Sequence, residues 1–178
     1  MGSLQKQYPV KVIFSVIFRL PEQLRKAERA IAKLTGEFDD LILECPFNTT
    51  DYYREEFGEG LSRKFLSAKK NISLEGLHKI KTRTNCIEDR LRVNGSRTVN
   101  IDPGYVTEAK LILFSTKDHA HRIYLGDAIF AEQTLYYHDK SYRPRSWTYP
   151  DYASLVLIEH FNRVREIYRS GISREKRK

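Results

Sequence analysis

The chain is poor in cysteine, methionine and tryptophan, and it lacks any long apolar run. Its 178 residues include two Cys, one Met and one Trp. Cys45 and Cys86 alone cannot build a disulfide scaffold or a four-thiolate zinc site, which favours a reducing compartment. The longest apolar stretch, Val10–Phe18, is interrupted by Lys11 and Ser15 and is far shorter than the roughly 20 residues that span a bilayer. No secretory signal pattern opens the chain. We therefore predict a cytoplasmic protein with no membrane partner.

Acidic residues are outnumbered, with 23 Asp+Glu against 31 Lys+Arg and a formal net charge of +8. The chain is 40% hydrophobic and carries 11 Tyr and 9 Phe, which is too apolar for a disordered chain. The length suits one domain. We predict a single domain over residues 8–170 and a basic tail over 171–178. The positive charge favours an anionic small molecule or a nucleic acid as partner, although charge bears on association rather than on fold.

The first third of the chain predicts a strand–helix–strand unit. Val10–Phe18 has the composition of a buried strand. Pro21 is typical of the first turn of a helix, and Gly36 of a helix end. A second strand is expected from Leu41, stopped by Pro46. This order suits a parallel or split pairing, so the predicted class is α+β, or α/β, with a mixed sheet.

The middle of the chain is less regular. Residues 52–57 predict one short helical turn, and Ser73 is the expected cap of a long amphipathic helix ending near Leu91. Thr98–Ile101 predicts a short strand that ends in a turn at Asp102–Gly104. Residues 107–116 match a helix and a buried strand about equally, and we favour the helix.

The second half predicts a hairpin and a final helix. Arg122–Leu125 and Ile129–Tyr137 are expected to pair across a turn at Gly126–Asp127, with another strand near Tyr142. The final helix is expected over residues 151–171, with the aspartate at its start as cap and the glycine at its end as stop.

The densest run of reactive side chains lies at residues 116–122. His119 and His121 share a face if they lie on a strand, and Asp118 is adjacent, which is compatible with a metal site. An H-x-H pair does not specify a third ligand, however, and hydrogen bonding within a structured loop is the commoner role of such residues. We assign no metal and identify no cofactor.

The same run also suits acid–base chemistry on an anionic substrate. Imidazole titrates near neutrality, and the planar guanidinium of arginine matches phosphate or carboxylate, although a surface ion pair would explain Arg122 equally well. The candidate catalytic residues are His121, Asp118, Asp102 and Glu132. The candidate substrate-binding residues are Arg122, Lys117, Asp127, Tyr105, Asp51 and Trp147.

Trp147 lies near Arg143 and Arg145 in the sequence. Aromatic rings beside arginines could form a base-stacking platform next to a phosphate-attracting surface. The alternative is that these residues close one end of the core.

Five segments together carry a family resemblance. They are Pro46–Tyr53, Lys81–Asn85, Arg97–Tyr105, Thr116–Asp127 and Trp147–Tyr152. With them the chain resembles, over roughly residues 8–168, the prokaryotic family of domains of unknown function numbered 4416. The resemblance implies a cytosolic prokaryotic protein without an established activity.

Members of that family are often labelled GTP-binding, which the residues allow us to test. A phosphate-binding P-loop requires G-x-x-x-x-G-K-[ST], and Gly58–Lys64 has neither this spacing nor the following Ser or Thr. Thr116–Asp118 places its aspartate one residue early for the guanine-reading N-K-x-D pattern. The sequence therefore does not support a classical GTPase.

Two functions remain in competition. One is an enzyme that acts on a phosphorylated or nucleotide-like substrate. The other is a non-catalytic RNA- or nucleotide-binding module. For the first, we expect one concavity at the edge of the sheet to collect Asp102, His121, Arg122, Asp127 and Glu132. The sequence predicts no particular oligomeric state.

Overall fold

The computed structural model describes residues 3, 6–47 and 54–175. These residues form one eight-stranded sheet. The strands are β1 (Lys11–Phe18), β2 (Leu43–Pro46), β3 (Ser62–Ser67), β4 (Val99–Val106), β5 (Lys110–Ser115), β6 (Arg122–Gly126), β7 (Ile129–His138) and β8 (Ser141–Pro144). The helices are α1 (Pro21–Thr35), α2 (Arg54–Phe57), α3 (Ile80–Arg90) and α4 (Leu155–Glu175), and a 3₁₀ helix over Leu77–Lys79 leads into α3.

The strands are ordered β2-β3-β1-β4-β5-β7-β6, and β8 pairs with the second half of β7. Every one of these pairings is antiparallel. β3 lies between β1 and β2, so the strand–helix–strand unit is split rather than directly paired. The α+β class and the split pairing are confirmed, whereas the parallel contacts of a mixed sheet are not formed in the described chain. The first four strands with α1 and α3 follow the β-α-β-β-α-β arrangement.

The sheet is buried on both faces, as the central strand β1 shows. All eight of its residues are buried, and alternate residues point to opposite faces. Val12, Phe14 and Val16 pack in the cluster that includes α1 and α3. Ile13 packs with α4, where Phe161 is fully buried. The result is a three-layer domain with helices on both sides of one sheet.

α1 and the C-terminal hairpin form as predicted, but the hairpin turn lies one residue later than the expected Gly126–Asp127. Pro21 begins α1, and Gly36 follows its end in a positive-φ conformation. The hairpin of β6 and β7 turns at Asp127 and Ala128, both with positive φ, as a tight two-residue turn requires.

The helix favoured for residues 107–116 is wrong, because Lys110–Ser115 is strand β5. It lies between β4 and β7, and its residues 111–114 are buried. A continuous apolar run of this length does not distinguish a helix from a strand that is covered on both faces.

The turn expected at Asp102–Gly104 is also wrong, because β4 continues through it to Val106. Pro103 lies where β4 has no partner on the β5 side, so its missing N–H removes no strand-to-strand hydrogen bond. Gly104 is required by the close approach of β5, since a Cβ there would lie 2.2 Å from the backbone oxygen of Ile112.

Other element boundaries also differ from the sequence expectations. Ser73 Oγ accepts the N–H of Glu75 at 3.2 Å, and the helix begins only at Leu77, after Gly76 in the left-handed region. Strand β3 was not predicted. The turn predicted over residues 52–57 corresponds to α2 for its last four residues, and its first two lie outside the described residues.

The last helix begins and ends later than expected. Ser154, not Asp151, caps α4, with Ser154 Oγ 3.4 Å from the N–H of Leu157. The helix continues through Gly171 to Glu175. Cys86 is exposed, and Cys45 is half-buried. None of the helices described is long and apolar enough to cross a membrane.

Candidate functional site

A cleft opens where β4 and β5 separate. β4 pairs with β1 along its whole length but with β5 only over Gly104–Val106. The other five residues of β4 therefore present an open edge. The cleft at this edge has a volume of about 580 Å³ and is lined by α3, the start of β4, residues 113–117, Tyr149–Tyr152 and Arg63 of β3.

Side chains of α3 cover the open edge of β4. The carboxylate of Glu88 accepts the N–H of Ile101 at 2.8 Å, and Lys81 Nζ donates to the carbonyl of Ile101 at 3.0 Å. These two side chains take the place of the missing strand and satisfy a backbone donor and acceptor that would otherwise be unpaired.

One accessible carboxylate lies within the cleft. Asp102 Oδ1 accepts from Lys81 Nζ at 3.2 Å, and Oδ2 accepts from Asn100 Nδ2 at 2.8 Å. Burial opposes the charge of Asp102, but Lys81 and Arg63 outweigh it, so the pKa of Asp102 lies below its ordinary value. The Asp102 side chain is 30% exposed. Asp102 is therefore an ionised group that a ligand can reach.

Glu88 behaves in the opposite way. Its side chain is 5% exposed, and burial raises the pKa of Glu88 although Lys81 and Arg97 counteract it. Arg97 Nη1 donates to Glu88 at 2.9 Å, and Arg97 also pairs through two nitrogens with Glu56. Hydrogen bonding to Arg97 lowers the pKa of Glu56. Two carboxyls of one cleft, Asp102 and Glu88, are thus shifted in opposite directions, a pattern common in acid–base sites.

The opposite wall is organised around Glu132 of β7, whose side chain is 2% exposed. Glu132 Oε2 accepts from Arg122 Nε at 2.9 Å and lies 3.0 Å from His121 Nε2, which donates when it carries the proton. Arg122 also donates to Ser115 Oγ at 2.8 Å and to the carbonyl of Lys117 at 2.9 Å. Register explains this cluster, because Arg122 and Glu132 are paired partners of β6 and β7.

A stack of three rings borders this wall. The His121 ring lies parallel to Trp147 at 5.2 Å between centroids, and His119 stacks on His121 at 5.9 Å. Trp147 Nε1 donates to the carbonyl of Gln133 at 3.0 Å. Trp147 is 38% exposed, so the stack is partly accessible.

The floor of the cleft contains buried polar groups without partners. Arg63 pairs with Asp151 through Nη1, while Arg63 Nε has no hydrogen-bond partner within the described chain. The Tyr152 hydroxyl, Asp151 Oδ2 and, behind the cleft lining, Ser15 Oγ also lack a hydrogen-bond partner there, although Asp151 is held by its ion pair with Arg63. The Ser15 side chain is close enough to the Tyr152 hydroxyl to act against the rise in its pKa, but the two hydroxyls do not meet hydrogen-bond geometry. Burial raises the pKa of Tyr152, so its hydroxyl keeps its proton and can donate.

The fold brings together many of the residues that the sequence singled out. Asp102, Lys117, Arg122 and Glu132 line the cleft, and His121 is bonded to Glu132 at its border. Trp147 reaches the same border through its stack on His121. Asp118 is exposed in the loop after β5.

Two further candidates lie away from the cleft. Tyr105 is buried on the α1 and α3 side, with its ring 5.8 Å from that of Phe114. Asp127 lies at the far end of β6, 3.2 Å from His78 Nε2. Asp51 lies outside the described residues. The expected concavity thus contains three of its five members, Asp102, Arg122 and Glu132, while His121 lies at its border and Asp127 lies elsewhere.

Sequence reasoning did not identify the α3 side of the cleft as a site. Lys81, Asn85 and Glu88 follow one another at helical spacing and share one side of α3, and they line the cleft together with Arg92, which follows the helix. This spacing was a usable signal for a site on that side of the helix. Arg63 was missed because β3 itself was missed.

The fold and the cleft define a single α+β domain with buried ion pairs around an accessible carboxylate. The chain belongs to the family described as Domain of unknown function (DUF4416), whose sequence profile matches residues 8–168. No curated protein and no solved structure matches the chain. Within the described residues, no group of three or more His, Cys, Asp or Glu side chains is arranged to hold a metal ion.

Proposed function

We propose that the protein is an enzyme that acts on a small phosphorylated or nucleotide-like substrate in the cleft beside β4. The observation that carries the proposal is Asp102, an ionised and partly exposed carboxylate held between Lys81 and Asn100. A volume of about 580 Å³ suits a mononucleotide-sized ligand. The protein is taken to be cytoplasmic and prokaryotic, in line with its two cysteines and its family resemblance.

The lining suits the two parts of such a substrate. Tyr149 is 51% exposed and offers aromatic surface to a base or sugar, whereas the Phe47 ring is buried beneath the Arg63 guanidinium. Arg92 and Lys117 are exposed cations of the lining and would attract a phosphate electrostatically, although Arg92 already bonds to Asp89 and to the carbonyl of Gly95. Arg122 is paired with Glu132. We therefore propose that Arg122 positions the Glu132 carboxylate and attracts the anionic substrate by its charge.

Two groups are candidates for proton transfer. His121 has Nε2 directed to Glu132, which fixes the ring and leaves Nδ1 for a substrate proton. Asp102 is the candidate base on the β4 side. The buried Glu88, with its raised pKa, tunes the charge around Asp102.

The test is a ligand and turnover screen on the purified chain. Nucleoside mono-, di- and triphosphates and sugar phosphates are titrated by calorimetry, and product formation is followed by phosphorus NMR. We expect Asp102→Asn and His121→Ala to reduce turnover by roughly 10²–10⁴-fold. The matched control is His138→Ala, because His138 is 65% exposed and its described side-chain contacts, with Asp139 and the Tyr136 ring, involve no residue of the cleft lining. Equal turnover in all variants, or no binding by the wild type, would overturn the proposal.

One observation favours nucleic-acid binding as a second candidate. The ring stack that ends in Trp147 lies near exposed Arg143 and Arg145, which resembles a stacking surface beside cations. Part of this surface is already occupied internally, since the Arg145 guanidinium lies 3.8 Å from the Tyr136 ring centre. RNA binding that weakens steeply with salt and is lost in Trp147→Ala, without any turnover, would select this candidate.

A further inference from the structure

The buried donors without partners converge on one side of the cleft floor. Arg63, Tyr152 and Ser15 are 7%, 2% and 0% exposed, and each carries a polar atom without a hydrogen-bond partner in the described chain. Buried donors are nearly always paired, and leaving one unpaired is costly. Three such groups close together indicate a place where a bound molecule completes the hydrogen bonding.

The three groups are neighbours on the α4 face of the sheet. The Arg63 guanidinium carbon lies 5.6 Å from the centre of the Tyr152 ring. Ser15 of β1 is the register partner of Asp102 of β4, so both side chains point to the same face. Tyr152 feels the charges of both Arg63 and Asp102. Donors from Tyr152 and Arg63 therefore lie beside the carboxylate of Asp102.

The charges of the floor are already balanced. Arg63 pairs with Asp151, and Lys81 pairs with Asp102. A phosphate placed there would face two carboxylates without gaining an unpaired cation. An uncharged polar group meets no such repulsion and would satisfy the unpaired donors.

We propose that the floor of the cleft is a subsite for an uncharged part of the ligand that carries a carbonyl or hydroxyl oxygen next to an N–H or O–H. Tyr152 and Arg63 donate to the ligand oxygen, with Ser15 behind them, and Asp102 accepts from the ligand donor. Such a pattern occurs on nucleobase edges and sugar hydroxyls. This inference rests on the proposed function and places the phosphate at the mouth of the cleft rather than at its floor.

Tyr152→Phe tests the subsite by removing only the hydroxyl. Since that hydroxyl has no hydrogen-bond partner among the described residues, its loss leaves the melting temperature unchanged or raises it. Affinity for adenosine, guanosine, cytidine or uridine, whichever binds the wild type, is expected to fall about 10- to 100-fold, the range for losing one buried hydrogen bond. Affinity for inorganic phosphate or pyrophosphate is expected to stay the same.

Tyr142→Phe is the matched control. Tyr142 is fully buried, and its hydroxyl donates to the carbonyl of Thr107 at 2.8 Å, away from the cleft. This variant is expected to lower the melting temperature and to leave nucleoside affinity unchanged. The two variants are thus expected to differ in opposite ways: Tyr152→Phe lowers nucleoside affinity but not the melting temperature, and Tyr142→Phe lowers the melting temperature but not the affinity.

The outcomes separate this inference from the proposed function. If the wild type binds nucleosides or nucleotides and Tyr152→Phe binds them equally well, the subsite is wrong and the proposed function stands. A drop in melting temperature for Tyr152→Phe as large as that for Tyr142→Phe would also overturn the subsite. If no probe binds the wild type, both proposals fail.

Discussion

Glu88 Oε1 accepts the backbone N–H of Ile101 at 2.8 Å, on the side of β4 from which β5 has separated. At this position a side chain of α3 makes the hydrogen bond that a neighbouring strand would otherwise make. The same separation creates the cleft, so the carboxylate that satisfies the strand edge is also part of the candidate site. Stability and function of this region are therefore coupled through α3.

Glu88→Ala is expected to destabilise the protein by about 2–3 kcal/mol, because it leaves the buried Ile101 N–H unsatisfied and removes one of the two carboxylates paired with Arg97. Glu88→Gln is expected to cost less, about 1–2 kcal/mol, since its amide oxygen still accepts from Ile101. Urea unfolding measures both. Glu159→Ala, on an exposed position of α4, is the control and should change the free energy by less than about 0.5 kcal/mol. Equal effects of Glu88→Ala and the control would contradict the bridging role.

Gly104→Ala is expected to destabilise the protein by about 1–3 kcal/mol, because its Cβ would meet the Ile112 backbone oxygen at 2.2 Å. Gly171→Ala is the matched glycine. Gly171 lies inside α4 with only Asn71 Nδ2 near its Cβ position, at 3.4 Å, and alanine there should be neutral or stabilise by up to about 1 kcal/mol. Thermal unfolding compares the two variants. The same sign of effect for both would refute the close approach of β4 and β5.

The sequence predicted those elements that local signals define. Pro21 and Gly36 bracket α1, and the unbroken apolar run of β1 is buried on both faces, so both were found. The turn predicted at Asp102–Gly104 is wrong because β4 accommodates these turn-forming residues. It can do so because β4 is not paired with β5 before Gly104.

The site was predictable only in part, for a related reason. His121, Arg122 and Glu132 belong to one hairpin, so register alone brings them together. Asp102 reaches the same cleft because β4 separates from β5 just before Gly104. Asp127 does not, because the length of β6 places it at the far end of that strand. These are long-range properties of the sheet that no local pattern contains.

Arg122→Met is expected to destabilise the protein by about 3–5 kcal/mol, since Glu132 would be left as a buried carboxylate without its main cation. His121→Ala should cost only about 1 kcal/mol, because Arg122 still pairs with Glu132. Urea unfolding of both variants at pH 7 provides the comparison. If His121→Ala proves the more destabilising, His121 anchors the loop and its catalytic assignment is wrong.

The buried side chain of His160 is expected to make the free energy of unfolding fall at acidic pH. Its ring is buried against Phe65 and Phe161, and burial, with the nearby charge of Arg163, lowers the pKa of His160 to about 4. The unfolded chain, with an ordinary histidine pKa near 6.5, binds the proton first, so stability is complete above about pH 6.5 and declines as the pH falls toward 4. The loss is on the order of 3 kcal/mol.

His160→Gln is expected to show a smaller decline in the free energy of unfolding between pH 7 and 4.5 than the wild type. Glu88, with its raised pKa, changes the slope in the opposite sense, but equally in both proteins. Parallel pH profiles for the two proteins would show that His160 is protonated without penalty in the folded state.

Backbone amide NMR during titration with a nucleoside monophosphate that binds the chain tests the location of the site most directly. The account predicts that the shifts concentrate on Ile101, Asp102, Ser115–Lys117 and Tyr152, around the opening between β4 and β5, and that Asp102→Asn diminishes them. Shifts confined to the exposed strand β6 at Ile123–Leu125, or to the C-terminal half of α4, would contradict it.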